Sequence, residues 1–503
     1  MARCFTTPIY YLNDRTHLGH FYTSTACDVL GRFWRLNGDD VHVVTGGDAH
    51  GQKVECSAEE RGVSPSEYVD ELLGDLRVFS DSLGFEYDDF ICTVEKRHHI
   101  SAQALWNALV EKGQIYEGVY EGYYSVRDEA YVKESDLVDG KAPTGAPVEW
   151  ISEPCFFFRL SAWGDQLLSF YDKHPDFVIP ETRFHEVKSF VRMGLNDLAV
   201  SRRHVSWGIP VPGDEKSVIY VWFEALVNYI TSLGYPDTES EKFKAFWPAV
   251  HIVGKDILIF HAVYWPAFLM AAGITPPRQV IAHGWWICGK DKMSKSLGNV
   301  VDPAHYVERY GLDPLRYFVM RHMNFGEDGQ FSEEFLAGLL KDELSNSIGN
   351  LAQRVLAFIQ KHMDGAVPNF YDIDIEDEEL RSSADSLFEA VRTHIERYRF
   401  SRCIGEVIAV VTLANQYIAK QKPWTLIGVD DDGVSWKKCQ TIMYRLADLL
   451  RIIGIILQPF IPASAGKLLD QLSVHERSFS ALSSRLVSGT KLPSPSPLFP
   501  NNL

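Results

Sequence analysis

Cys4-Phe5-Thr6-Thr7-Pro8-Ile9, the seven residues Tyr10–Thr16, and then His17-Leu18-Gly19-His20 leading on to Asn37 form the stretch on which the fold turns. Cys4–Ile9 is short and mostly apolar, as a buried strand is. Tyr10–Thr16 reads as polar loop. From Gly19 onward Phe21, Val29, Leu30, Phe33 and Leu36 keep a roughly helical spacing. The two histidines therefore stand where a strand hands over to a helix N-terminus. Such a point gathers unpaired backbone N–H groups and the positive end of the helix dipole, and it favours phosphate. Two imidazoles there can follow a phosphoryl group as charge builds in a transition state, while Gly19 lets a base or ribose approach the backbone. Solvated loop histidines beside a helix-start glycine would look the same, so the motif alone reaches no further than nucleotidyl transfer.

The 503 residues are 46% apolar and 23% charged, which implies a globular chain with an ample core and about three domains. No apolar run is long enough to span a bilayer. The chain enters a strand almost at once, so no signal or transit peptide is expected. Its eight cysteines are scattered without a C-x-x-C pair, which argues for a reducing, cytoplasmic setting and against disulfides or a thiolate zinc site. A net charge of −18 counts against sequence-independent polyanion binding. It leaves room for RNA on a local basic face, because charges are screened within about 8 Å at physiological salt.

Asp39–Thr45 reads as a second buried strand that breaks at Gly46-Gly47 into Asp48-Ala49-His50-Gly51, with a helix following through Arg61. Strand ends of this kind are where open α/β sheets place ligand groups, and Asp48 could hold a substrate ammonium. It could equally cap the next helix. Leu72–Phe90 and His98–Tyr116 read as helices. From Gly118 to about Pro154 the texture changes to Tyr, Gly, Glu and Pro with short β-like runs. Residues 117–198 are therefore taken as an inserted module. The α/β pattern returns with Val218–Phe223, Val250–Val253 and Gln279–Ile281. His261 and Trp265 lie i to i+4 on one face of the helix Ile257–Ala272, either in a ligand pocket or in plain core.

Gly289-Lys290-Asp291-Lys292-Met293-Ser294-Lys295-Ser296-Leu297-Gly298 crowds three lysines and two serines between glycines. Such a loop can close over a polyphosphate and neutralise developing charge, although a solvated basic loop is the commoner meaning of a charge run. Downstream of H-x-G-H in an α/β chain, Lys-Met-Ser-Lys-Ser decides the matter.

The two motifs together resemble the class I aminoacyl-tRNA synthetases. From near residue 4 to near residue 470 the chain is similar to the methionyl-tRNA synthetase family. The likeness rests on Pro8-Ile9-Tyr10-Tyr11, Gly47-Asp48-Ala49-His50-Gly51, Tyr220-Val221-Trp222-Phe223-Glu224-Ala225, Gly254-Lys255-Asp256-Ile257, Phe260-His261-Ala262-Val263-Tyr264-Trp265-Pro266 and His283-Gly284. The resemblance implies a Rossmann-like doubly wound parallel sheet with an inserted connective module, followed by an all-α helical bundle. It implies ATP as substrate with Mg²⁺ on its phosphates, methionine, and the methionine tRNA charged at its terminal adenosine. In family terms His17 and His20 would stabilise the α-phosphate, and Lys292 and Lys295 the β- and γ-phosphates. Gly19, Gly254, Asp256, His283 and Gly284 would meet the rest of ATP. Asp48 would take the methionine ammonium, and Ile9, Tyr11, Trp222, Ala225, Tyr229, His261 and Trp265 would line the thioether pocket. Tyr123–Ala130 lacks the cysteines that hold a zinc knuckle in many relatives, so no structural zinc is expected. The same lack counts against cysteine as substrate, and the insert is too small for the editing domain of the leucine, isoleucine and valine enzymes.

From about Ser332 the sequence turns helical, with apolar stripes that suit an antiparallel bundle over Glu333–Lys361, Glu376–Phe400, Ile404–Lys422, Trp436–Leu457 and Ile461–Leu472. The resemblance makes this the anticodon-binding domain, with Asn350 and Arg354 bonding anticodon bases and Trp424 stacking on one. Arg392, Arg397, Arg399 and Arg402 supply local positive charge. The expected domains are 1–116 and 199–331 for the two catalytic halves, 117–198 for the insert, 332–487 for the bundle and 488–503 for a disordered Ser/Pro-rich tail. A monomer is expected. A small-molecule adenylyltransferase would not explain Lys292–Ser296 or the bundle, and intact His17, His20, Lys292, Lys295 and Asp48 argue against an inactive RNA-binding paralogue.

Overall fold

The computed structural model describes all residues except 13–15, 126–129, 133, 290, 293–299, 374, 376, 429–432 and 500–503. The chain divides into two units, one formed by Ala2–Thr16 and Val41–His283, the other by Met1, His17–Asp40 and Gly284–Leu503.

The first unit is built on a seven-stranded sheet ordered Tyr10–Tyr11, Asp40–Asp48, Ala2–Thr6, Val250–Gly254, Gln279–His283, Val178–Ile179, with Asp89–Cys92 also beside Asp40–Asp48. Every pair with a resolved register runs parallel. The chain starts at Ala2–Thr6, winds outward to one side and returns to fill the other, so the order reverses beside that first strand. This is the doubly wound arrangement expected, and it places ligand groups at the carboxyl ends of the central strands. Helix Lys96–Glu111 packs on Val221–Thr231 and Trp265–Ala272, and the core between them buries Trp106, Phe158, Tyr171, Phe223, Trp265 and Phe268. Val178–Ile179, within the stretch read as an insert, supplies an edge strand of this sheet. The β-rich part of that stretch is a hairpin of Ile115–Ser125 on Glu149–Phe158, flanked by Ala130–Val132 and Leu198–Ala199.

Several expected boundaries move, each for a local reason. The first strand ends at Thr6 rather than Ile9, ahead of Pro8, which cannot donate to a ladder. The next does not break at Gly46-Gly47 but continues to Asp48. The glycines permit close approach there, since a Cβ on Gly46 would lie 1.9 Å from the Ile91 carbonyl oxygen. Leu72–Phe90 is not one helix: Pro65–Ser82 ends at Leu83-Gly84 and Asp89–Cys92 is the strand that takes up that approach. Likewise Lys96–Glu111 stops at Lys112-Gly113, and Ile115 opens the hairpin. Val218–Phe223 splits into the end of strand Asp214–Ile219, which pairs in a separate small sheet, and the start of helix Val221–Thr231.

The second unit holds helix Leu18–Leu36, the small sheet of Trp286–Cys288, Asp291–Lys292 and Gly329–Phe331, and the C-terminal helices. Four of those helices fall where the apolar stripes place them, Glu378–Ile395, Phe400–Gln421, Val434–Leu457 and Pro462–Gln471, whereas the expected helix Glu333–Lys361 is α only over Glu333–Leu339 and Asn350–His362, with a π segment Leu340–Gly349 between them. The tail is ordered from 488 to 499, contrary to its composition. Gly489 and Leu492 donate to the carbonyls of Val367 and Gly365, each at 2.8 Å, and Ser496 donates to Gln471 Oε1 at 2.9 Å. Leu492 and Phe499 are buried, so two apolar anchors and paired backbone suffice without a hydrophobic run. Among the described residues no helix is long and apolar enough to cross a membrane, and all eight cysteines are free.

Candidate active site

Helix Leu18–Leu36 begins with a cap made of imidazoles. His17 is the N-cap residue, and its Nδ1 accepts from the Gly19 N–H at 3.0 Å. His20 Nδ1 accepts in turn from the His17 N–H at 3.1 Å. The rings stack at 4.0 Å with 20° between planes. A nitrogen that accepts from an amide carries no proton, so each ring keeps its proton on Nε2. Burial, reinforced by the neighbouring His17, holds His20 well below the usual histidine range. The cap is thus a pair of neutral donors at a helix N-terminus. A Cβ on Gly19 would lie 2.8 Å from His17 Cε1, so glycine is what lets the ring fold back over its own backbone. Further along the helix, buried Arg316 donates to Asp28 Oδ2 at 2.6 Å and to the Pro459 and Phe460 carbonyls at 2.8 and 3.1 Å. This anchor sets the helix within its unit, and removing one partner of such a buried pair costs about 3–5 kcal/mol.

Lys292 lies on strand Asp291–Lys292, paired with Trp286–Cys288. Lys295 lies outside the described residues. Gly284 stands against the Glu327 carbonyl oxygen, which a Cβ would meet at 2.1 Å.

In the first unit the structure gathers a second set at the strand ends. Gly254 pairs in register with His283, and a Cβ on Gly254 would lie 2.6 Å from Asp256 Oδ1 and 3.7 Å from His283 Cε1. Asp48 ends its strand opposite Tyr11 and is buried, and Ile9 lies beside Gly46. Tyr229 donates its hydroxyl to His261 Nε2 at 2.7 Å, because His261 Nδ1–H is committed to the Ile257 carbonyl at 2.9 Å. Burial takes His261 down to about 4, so the ring is neutral. Trp265 packs 6.3 Å from Tyr229. His261 and Trp265 do not share an ordinary helical face: Phe260–Tyr264 is a π turn, and the α-helix starts at Trp265. π turns of this kind recur at functional sites. Trp222 stacks on Phe260 at 3.9 Å, and Ala225 is buried one turn further along the same helix.

In the bundle, Trp424 is 47% exposed, and the Arg354 guanidinium lies 6.0 Å from its ring centre. Asn350 opens the same helix as Arg354 and is exposed.

What the sequence reading left without a role is a buried carboxylate, Glu224, which meets His50 Nδ1 at 2.9 Å and His98 Nε2 at 2.7 Å. One acidic residue inside the apolar run Val221–Thr231 was the available signal, since a carboxylate there requires buried partners.

Nucleotide chemistry on a doubly wound sheet, with adaptor recognition on a following helical bundle, defines the class I aminoacyl-tRNA synthetases. Residues 3–149 and 135–356 match the family described as tRNA synthetases class I (M), and residues 367–501 match the anticodon binding domain of methionyl tRNA ligase. The chain is 48% identical over 504 residues to the methionine–tRNA ligase of Brucella suis biovar 1, covering 98% of this chain and 97% of that one. The enzyme of Rickettsia felis gives the same figures, 48% identity with 98% and 97% covered. The Mycobacterium tuberculosis methionyl-tRNA synthetase solved in complex with methionyl-adenylate superposes with a TM-score of 0.97 at 42% identity, over 99% of this chain and 100% of that one. This chain belongs to the methionyl-tRNA synthetases. It is an enzyme that forms methionyl-adenylate from methionine and ATP and transfers the methionyl group to tRNA.

Proposed function

We propose that the stacked, neutral imidazole pair at the helix N-terminus is the element that carries the first chemical step. The methionine carboxylate attacks the α-phosphorus of ATP, which enters as its Mg²⁺ complex, and pyrophosphate leaves. No side chain takes a proton in this step. His17 and His20 donate from Nε2 to the oxygens on which charge develops, and a donor placed in this way is worth roughly 10²–10³ in rate. Lys292 and Lys295 neutralise the departing β- and γ-phosphates, and Gly19, Gly254, Asp256, His283 and Gly284 accommodate the adenosine part. In the second step the 2′-hydroxyl of the tRNA's terminal adenosine attacks the activated carbonyl and AMP leaves, supplying methionine for initiation and elongation.

Asp48 receives the methionine ammonium. Ile9, Tyr11, Trp222, Ala225, Tyr229, His261 and Trp265 receive the thioether side chain. The neutrality of His261 supports this pocket, because a polarisable sulfur gains about 0.3–1.5 kcal/mol from each aromatic contact and nothing from a buried charge. Homocysteine, one methylene shorter, is disfavoured by only about 1–3 kcal/mol, so misactivation of it is expected. Asn350, Arg354 and Trp424 read the anticodon: an exposed indole beside a guanidinium is a platform for a splayed base. The catalytic core draws on 1–116 and 199–331 together with the edge strand Val178–Ile179 from the stretch 117–198, whose β-rich part is the inserted module, and the bundle follows over 332–487. The absence of cysteine from Tyr123–Ala130 supports a zinc-free module, and we take the enzyme to act as a cytoplasmic monomer.

The test is amino-acid-dependent ATP–pyrophosphate exchange without tRNA, run with methionine, leucine, isoleucine, valine and cysteine. Exchange selective for methionine is expected. Comparable exchange with another of these amino acids would overturn the pocket assignment.

A further inference from the structure

Glu224 is fully buried, and its two oxygens are divided between two elements: Oε1 to His50 Nδ1 and Oε2 to His98 Nε2. All three side chains are nearly inaccessible, at 0% for Glu224 and His98 and 4% for His50. His98 Nδ1 continues to Thr231 Oγ1 at 3.2 Å, and Thr231 lies on the helix that carries Glu224. Burial pushes the Glu224 carboxyl up, but the two imidazoles outweigh it and bring the group down to about 2, so it is ionised. A buried charge satisfied in this way adds little net stability over an apolar side chain of the same size. Its position in the fold indicates what else it does.

His50 belongs to the turn Asp48–Gly51, which is bonded from several sides. The His50 carbonyl accepts from the Tyr11 hydroxyl at 2.9 Å. The Ala49 N–H donates to Thr93 Oγ1 at 2.9 Å, and its carbonyl accepts from Trp207 Nε1 at 2.7 Å. The Gly51 N–H donates to the Trp207 carbonyl at 3.2 Å. These bonds hold the turn to its surroundings, and the Glu224–His50 contact joins it by a side-chain pair to helix Val221–Thr231, which carries Trp222, Ala225 and Tyr229. One carboxylate thereby ties the strand end that presents Asp48 to the helix that walls the thioether pocket, with His98 bracing it from a third element.

We propose that Glu224, acting through His50 and His98, is a positioning residue for methionine: it sets the distance between the ammonium carboxylate and the side-chain pocket, so that a chain of methionine's length satisfies both. The inference rests on the reading of Asp48 as the ammonium partner. On this reading Glu224, whose two oxygens are taken by His50 and His98, acts on methionine through position alone, and ATP recognition does not depend on it.

The experiment is pyrophosphate exchange with methionine and ATP varied separately, on the wild type, Glu224→Gln, Glu224→Asp, Thr231→Val and Asp48→Asn, with a melting temperature for each. Glu224→Gln turns one acceptor into a donor facing an imidazole, and the KM for methionine should rise about tenfold or more while the KM for ATP stays within about twofold. Glu224→Asp keeps the charge and should recover part of the loss. Glu224→Gln with an unchanged KM for methionine, or with both KM values raised together, overturns the proposal when Asp48→Asn by itself raises the KM for methionine. An unchanged KM in Asp48→Asn overturns the ammonium reading instead, and with it the premise. Should Glu224→Gln fail to fold, Thr231→Val decides: a raised KM for methionine supports the proposal and a wild-type value overturns it.

Discussion

Gly19→Ala is the substitution that most directly tests whether the imidazole cap performs the chemistry. The added Cβ would lie 2.8 Å from His17 Cε1 and 3.0 Å from Nδ1, where ordinary contact begins at 3.4 Å. Restoring ordinary contact takes the ring about 0.6 Å from its place. It cannot move so far without loosening the 3.0 Å bond from the Gly19 N–H and the 4.0 Å stack on His20. Two effects on stability oppose each other. Losing an N-cap costs about 1 kcal/mol, while replacing glycine by alanine inside a helix returns roughly 0.5–1 kcal/mol. The fold should be left nearly as stable as before. Catalysis has no such offset, since a misplacement of about 1 Å costs on the order of 10² in rate. For a shift of this size the expected result in methionine-dependent pyrophosphate exchange is kcat lowered by about tenfold, and by no more than about 10², with the KM for methionine and the melting temperature little changed. A wild-type kcat in a protein of wild-type stability would refute the reasoning, because the displaced ring would then have no part in the step.

Trp424→Ala should lower kcat/KM for tRNA charging by about tenfold or more, the worth of one base stacked on an aromatic, and leave tRNA-independent exchange intact; equal loss in both assays would show that Trp424 supports the fold rather than the anticodon. The buried imidazoles His20, His251 and His261 all lie below the usual histidine range because burial disfavours their charged forms. Protonation therefore favours the unfolded chain, so their contribution is complete above pH about 6.5 and is lost as the pH falls toward 4, with His261 alone accounting for roughly 3 kcal/mol. Melting temperatures recorded between pH 7 and 4 should drop across that window, and a flat profile would contradict the assignment of neutral rings.

Much of the chain declared itself through pattern, and what it concealed has a common cause. The helix from Leu18, the body of the strand Asp40–Asp48 as far as Thr45 and most helices of the bundle were legible because one pattern persisted over enough residues to outweigh local exceptions. Asp89–Cys92 was not, because a four-residue strand flanked by two helices offers no periodicity of its own and reads as a continuation of its neighbour. Its existence is written instead in Gly46, whose missing side chain admits the Ile91 carbonyl, and a signal carried by another segment is invisible to a reading along the chain. The π turn at Phe260–Tyr264 was hidden for a related reason: His261 and Trp265 keep a helical interval in sequence whether or not the backbone inserts an extra residue into the turn. Tail order depended on Leu492 and Phe499, two apolar residues among serines and prolines, too few to register in composition yet enough to bury. The site follows the same logic. Motifs announce the groups that meet substrate, since their chemistry restricts residue type at fixed spacing. The groups that position them are dispersed: Glu224, His50 and His98 come from three elements and share only a buried charge to be satisfied. An ionisable residue within an apolar run is thus the sequence's own pointer to such a network, and the partner to look for is another titratable residue bordering a motif.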